Sequence, residues 1–158
     1  MSLTIETGAK VTGADSYASV SEFNTYVDQT GITLSGDEEE LLRQAMAYIE
    51  GLAFKGYKLT KAQPLQWPRG NVILDGYYVD ATEIPTLLKE AQMEVAIAVD
   101  QGNNPLAAID RLTKREKVGE IEVEYMDGAS SATRLLAVQN KLKKLTLSNS
   151  GITVPVTR

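Results

Sequence analysis

The sequence contains no histidine and no cysteine. Without cysteine there can be no disulfide, thiol nucleophile, iron–sulfur cluster or thiolate zinc site. Without histidine the Ser-His-Asp and Cys-His arrangements and all imidazole metal sites are excluded as well. A glycine-rich phosphate loop is also missing, because Gly51, Gly56 and Gly70 are isolated and none precedes Lys-Ser or Lys-Thr. No apolar run is long enough to span a bilayer. The segment Met1 to Glu6 has neither the basic flank nor the apolar stretch of a signal peptide, so a cytoplasmic chain with no membrane partner is expected. Carboxylate-only acid–base chemistry is what remains, and no pair of acids is singled out for it. The chain is therefore expected not to be an enzyme, and no cofactor or metal is expected.

What is present suits one folded unit. At 158 residues, 43% hydrophobic and 23% charged, the chain is long enough to bury a core without staples. A single domain over 1–158 is expected, with an extended N-terminal arm over about 1–18, or an edge strand around Leu3-Thr4-Ile5, and a mobile C-terminal tail from about 148 to 158. The net charge of −5 hides a gradient. Residues 1–50 carry nine acids against Lys10 and Arg43, whereas residues 101–158 carry nine bases against six acids. Such polarity could orient a subunit against its neighbours or place a basic strip near nucleic acid, and an uneven solvated surface accounts for it equally well.

Periodicity predicts a mainly α fold, a small bundle of about four helices with a β-hairpin and one additional strand. Ser19 and Glu22 form a capping box for a helix with Val20, Phe23 and Val27 on one face and Gly31 at its end. Asp37 caps a second helix, whose Leu41, Ala45, Tyr48 and Leu52 recur on one face that Leu42, Met46 and Ile49 widen. Gly56, Pro64 and Pro68 make 55–70 an ordered loop holding the only tryptophan, Trp67. Asp75-Gly76 fits the tight turn of a hairpin at about 71–79. Pro85 suits the first turn of a nearly all-apolar central helix running to Gly102. A single helical turn at 106–112 is an open option. The alternation of Val118, Ile121, Val123 and Tyr125 with Glu120, Glu122 and Glu124 predicts one half-buried strand over 118–125. Leu135, Val138, Leu142 and Leu145 mark a last helix with Arg134, Lys141, Lys143 and Lys144 outside.

Each motif that might carry chemistry has a plainer use. Asp37, Glu38, Glu39 and Glu40 fall in one first helical turn, where the dipole favours acids, and they fan outward rather than converge on a cation. Glu120, Glu122 and Glu124 recur about 7 Å apart on one strand face, which suits solvent or, alternatively, a neighbouring subunit's Lys141, Lys143 and Lys144. Trp67, Pro68 and Arg69 are read as a structural loop anchor. The other use of Trp67 is stacking on a nucleobase, and Tyr48, Tyr57, Tyr77 and Tyr78 do occur near Lys55, Lys58 and Lys61.

An ordered set of motifs runs along the chain: Ala14-Asp15-Ser16-Tyr17-Ala18-Ser19, Leu42-Arg43-Gln44-Ala45 before Tyr48-Ile49, Gln66-Trp67-Pro68-Arg69, Val79-Asp80, Ile84-Pro85 and Glu116-Lys117-Val118-Gly119. This set resembles small phage and prophage proteins often labelled DnaT-like single-stranded DNA-binding, which are similar to the head–tail connector, or head-completion, family. The likeness covers nearly the whole chain and rests most on Gln66 to Arg69 and Glu116 to Gly119. It implies a structural subunit that joins copies of itself in a ring, commonly twelvefold, under the portal protein in the virion neck. Assembly would take place in the host bacterial cytoplasm. Such a ring extends the DNA channel, lets DNA pass without sequence-specific binding, and meets the next neck or tail protein. The resemblance brings no catalytic residues. Its alternative is a single-stranded DNA-binding replication module. The expected subunit or partner interface is Val118, Glu120, Ile121, Glu122, Val123, Glu124 and Tyr125, with Lys141, Lys143 and Lys144.

Overall fold

The computed structural model describes residues 2–103, 105, 116–118, 121–123 and 129–147. Four helices occur among them: α1 (Val20–Thr30), α2 (Glu38–Glu50), α3 (Thr86–Asp100) and α4 (Ala129–Leu142). The described strands are β1 (Tyr57–Lys58), β2 (Arg69–Gly70), β3 (Ile73–Leu74), β4 (Tyr77–Tyr78), β5 (Glu116–Val118) and β6 (Ile121–Val123). They form three separate antiparallel pairs, β1–β2, β3–β4 and β5–β6, where one hairpin and one strand were expected. The open option of a helical turn at 106–112 and the tail from 148 lie outside the described residues.

Local chemistry explains where the helices begin. The Ser19 hydroxyl accepts from the Glu22 N–H at 3.2 Å, and the Glu22 carboxylate accepts from the Ser19 N–H at 2.8 Å. This is the reciprocal box that the spacing predicts. Gly31, with a φ of 67°, closes α1 in the left-handed region. Asp37 caps α2 through the Glu40 N–H at 3.0 Å. That helix buries Leu41, Leu42, Ala45, Met46 and Ile49. It stops at Glu50, so Leu52 lies past its end rather than on its face. Helix α3 packs between α2 and α4 and buries Leu88, Ala91, Met93, Val95, Ala96, Ile97 and Ala98, which makes it the central helix. Each such aliphatic side chain of Val or Leu size contributes on the order of 2 kcal/mol when fully buried.

Residues 2–18 fold back on the domain, with a bridge at Ile5, within the Leu3-Thr4-Ile5 segment that could form an edge strand. Ile5 and Ser16 bridge in parallel, with the Glu6 N–H donating to the Ser16 carbonyl at 2.8 Å. The Glu6 side chain is wholly buried and accepts from the N–H groups of Gly8, Lys10 and Val11 at 2.8, 2.9 and 2.9 Å. Gly8 has a φ of +101°, and a Cβ there would fall 1.8 Å from the Thr82 carbonyl oxygen, so only glycine fits. Bonds from Glu6 within the segment and from side chains distant in sequence together fold it back.

One of those bonds comes from the middle of the apolar helix. Gln92 is fully buried on α3. Its Oε1 accepts from the N–H groups of Tyr17 and Ala18, both at 3.0 Å. Its Nε2 donates to Ser16 Oγ at 2.8 Å and to the Leu42 carbonyl at 3.1 Å. Both donors and both acceptor positions of the amide are used. Replacing it with leucine leaves several buried groups unpaired at once, each costing about 1–3 kcal/mol. Gln92→Leu should therefore lower the urea-unfolding free energy by about 4 kcal/mol. A loss under about 1 kcal/mol would show that these groups find other partners.

Candidate functional site

The loop from 55 to 70 is built by two polar side chains rather than by secondary structure. Gln63 is buried; its Oε1 accepts from the Leu59 and Thr60 N–H groups at 3.0 and 3.2 Å. Its Nε2 donates to the Leu65 and Pro68 carbonyls at 3.0 and 2.9 Å. Arg69 spends its guanidinium on main-chain and amide oxygens: Nε on Lys55 O at 2.7 Å, Nη1 on Gln66 Oε1 at 2.8 Å, Nη2 on Gly56 O at 2.8 Å. Burial pushes its pKa below the usual arginine range, against the pull of Tyr17 and Glu50. These bonds hold β1 against β2.

Trp67 points into the core. Its side chain is wholly buried, it meets Phe54 edge to face with centroids 6.0 Å apart, and its peptide bond to Pro68 is cis. The indole N–H has no hydrogen-bond partner among the described residues. The Trp67 main-chain N–H donates to Tyr17 Oη at 3.1 Å, and Tyr17 Oη donates to Glu50 Oε1. Glu50 Oε2 accepts from the Gln66 N–H at 2.8 Å. Burial, then the Glu50 charge, pushes the Tyr17 hydroxyl far above the usual tyrosine range. Burial likewise raises the Glu50 carboxyl, against the hydrogen bonds from Tyr17 and Gln66. Neither Trp67 nor Arg69 is left facing solvent for a nucleobase or phosphate.

Only part of the segment expected to form an interface, 118–125, lies within the described residues. Val118 ends β5 and stands opposite Ile121 of β6, and Lys117 stands opposite Glu122, so 116–118 and 121–123 form an antiparallel pair. Ile121, Glu122 and Val123 make up β6. Glu120, Glu124 and Tyr125 lie outside the described residues. The lysines of the expected basic strip divide. Lys141 turns inward, 3.3 Å from Glu90 and 3.6 Å from Glu94 of α3, with Nζ 5.7 Å from the centre of the Tyr26 ring. Partial burial lowers its pKa, but hydrogen bonds to Tyr26 and Glu90 outweigh that and hold the ammonium above the usual lysine range. Lys144 reaches Asp75 in the hairpin turn at 2.8 Å, and Lys143 is exposed beyond the end of α4. Helical periodicity carried past Leu142 placed all three lysines outside; the inward turn of Lys141 depends on acids fifty residues away.

The exposed aromatic groups lie instead on the short strands. Tyr57, Tyr77 and Tyr78 are 60%, 79% and 75% exposed, and Ile73, opposite Tyr78 across the hairpin, is half exposed. Only Asn71 and Val72 separate β2 from β3, so the two strand pairs adjoin. Lysines border them. Lys55 Nζ donates to the Lys144 carbonyl at 2.8 Å, and Lys58 Nζ to the Gln63 carbonyl at 3.1 Å. Each ammonium thus donates to a neutral carbonyl, and the Lys58 charge also acts on the Glu50 carboxylate. The 145–147 segment runs antiparallel to 53–55, with Lys55 N–H donating to Leu145 O at 2.9 Å and Leu147 N–H to Ala53 O at 2.8 Å. Elsewhere, Ser21, Thr25, Tyr26, Thr86, Glu90 and Met93 line an open cleft of about 270 Å³ between α1 and α3. No metal-binding cluster occurs among the described residues.

The family described as "Putative DnaT-like ssDNA binding protein" matches residues 1–158. No curated protein and no solved structure matches the chain.

Two measurements check this geometry. Lysine cannot replace the planar fork of Arg69, so Arg69→Lys should cost about 3 kcal/mol of stability and red-shift the Trp67 emission. An unchanged emission maximum and stability would contradict the role given to Arg69. Glu50 has a higher pKa folded than its ordinary 4.5, so its contribution to stability is present below that value and is lost as pH rises through the folded pKa. The stability deficit of Glu50→Gln should accordingly be smaller near pH 8 than near pH 4. A deficit that grows with pH would show the opposite sign.

Proposed function

The chain belongs to the DnaT-like family, and on that premise we propose that it is a non-enzymatic protein that binds single-stranded DNA. The observation that carries this reading is the set of solvent-facing tyrosines, Tyr57, Tyr77 and Tyr78, beside Lys55 and Lys58. Aromatic faces accept stacked bases of any identity, and lysines follow the phosphates. The chain as a whole carries −5, so affinity must come from this local cluster of exposed rings and lysines. Binding is therefore modest and sensitive to salt.

A second reading, the head–tail connector, is favoured by the ordered motif set from Ala14 to Gly119 and by the net acidity, which suits a channel lining better than tight DNA binding. In it, copies close a ring through two different patches, and the ring meets the portal on one side and the next neck or tail protein on the other. The exposed apolar side chains Ile73, Leu136 and Leu147 would serve such contacts. The ring would sit in the virion neck.

Fluorescence anisotropy with a labelled deoxythymidine oligonucleotide separates the two. Single-strand binding predicts micromolar affinity at low salt, with the logarithm of the constant falling by about 0.7 per contacted phosphate for each decade of salt. No anisotropy change at low salt would overturn it. The connector reading predicts that purified protein adds to portal-bearing, DNA-filled heads in a ring visible by electron microscopy, and heads that stay unchanged would overturn that reading.

A further inference from the structure

The hairpin turn holds an ion pair whose place among the tyrosines has a chemical consequence. Asp75 has a φ of 51° and Gly76 of 91°, the pair of positive angles that a two-residue turn between β3 and β4 requires. Both Asp75 oxygens accept from Lys144 Nζ, at 2.8 and 2.9 Å. The pair is open to solvent, with side chains 63% and 56% exposed. Through its carbonyl, Lys144 also holds Lys55 Nζ. Lys55, Lys144 and Asp75 thus run in a line from the start of β1 to the hairpin turn that leads into Tyr77 and Tyr78.

Resting on the single-strand reading above, we propose that Tyr57, Tyr77 and Tyr78 are separate stacking platforms for single-stranded DNA, Tyr77 and Tyr78 on opposite sides of β4, that Lys55 and Lys58 contact its phosphates, and that Asp75 restrains this site by holding Lys144. Charge complementarity selects a polyanion: the ammonium groups of Lys55 and Lys58 each donate to a single carbonyl and keep two donors for phosphate oxygens, Lys58 within the field of Glu50. Lys144 is the third cation of the row, and a phosphate that displaces the Asp75 carboxylate from it gains a charge-assisted contact. Exposed ion pairs of this kind are weak, so the exchange costs little. Asp75 then acts as a built-in competitor that keeps affinity low.

The turn makes this testable by a gain of affinity. Asparagine tolerates left-handed backbone at least as well as aspartate, so Asp75→Asn keeps the hairpin while releasing Lys144 and removing a negative charge from the face. Asp75→Asn should tighten oligonucleotide binding about threefold to tenfold and steepen its salt dependence by up to one phosphate contact. Tyr77→Ser and Tyr78→Ser should each weaken binding about tenfold, whereas Tyr77→Phe and Tyr78→Phe, which keep the ring, should leave it within about twofold. Lys58→Gln should lower the salt slope. Far-ultraviolet circular dichroism of each variant keeps folding apart from binding. If the unaltered protein binds and these variants bind equally well, the face assigned here is wrong while single-strand binding stands. If no form binds, Asp75→Asn included, both fall. If the serine variants instead abolish self-association and leave DNA binding intact, the face is a contact between copies and the proposal is overturned.

Discussion

The carboxamide of Gln92 is the constraint on which the rest of the structure depends. It sits in the most apolar helix and spends all its capacity on the chain at Ser16, Tyr17 and Ala18 and on the Leu42 carbonyl of α2. A low-dielectric core strengthens such bonds and penalises any lost partner, so they fix one arrangement of three segments. From there a polar rail continues outward. Tyr17, placed by Gln92, reaches Glu50 and the Trp67 N–H; Glu50 holds Gln66; Gln66 meets Arg69; Arg69 gathers the carbonyls of Lys55 and Gly56. The tyrosine-bearing strands stand at the far end of that rail.

This explains why Trp67 and Arg69, the residues that most resemble a nucleic-acid motif, work as scaffold. An arginine whose donors are bound to five internal oxygens across the 54–66 segment cannot also grip a phosphate. Its role is to hold β1 and β2 together so that Tyr57 and the adjoining hairpin project. The buried indole beneath supplies packing area rather than a stacking face.

Much of the helical framework was legible from short-range chemistry. The Ser19–Glu22 box, the Asp37 cap, the Gly31 stop and the Asp75-Gly76 turn depend on residues within four positions of each other, and each lies where spacing predicts. What was not legible depends on distance in sequence. The fold-back of residues 2–18 needs Gln92, some seventy-five positions on. The β1–β2 pair needs Arg69 to find carbonyls near Lys55, and the inward turn of Lys141 needs Glu90 and Glu94. A signal for Gln92 was present: a lone amide at the helical spacing Leu88, Gln92, Val95 lies on the buried stripe of α3, where a polar side chain must be fully satisfied. The single strand expected over 118–125 passed over a break in the pattern: Val118 and Ile121 are three positions apart, so alternation holds only from Glu120 onward.

In the binding mode proposed above, single-stranded DNA meets the tyrosine-bearing strands and not the tryptophan loop. Nuclear magnetic resonance of isotope-labelled full-length protein, titrated with an unlabelled deoxythymidine oligonucleotide, tests it. Shifts are expected for the ring resonances of Tyr57, Tyr77 and Tyr78 and the Lys55 and Lys58 amides, with the buried Trp67 indole N–H unmoved. A Trp67 indole N–H that shifts while the three tyrosine rings stay in place would contradict it.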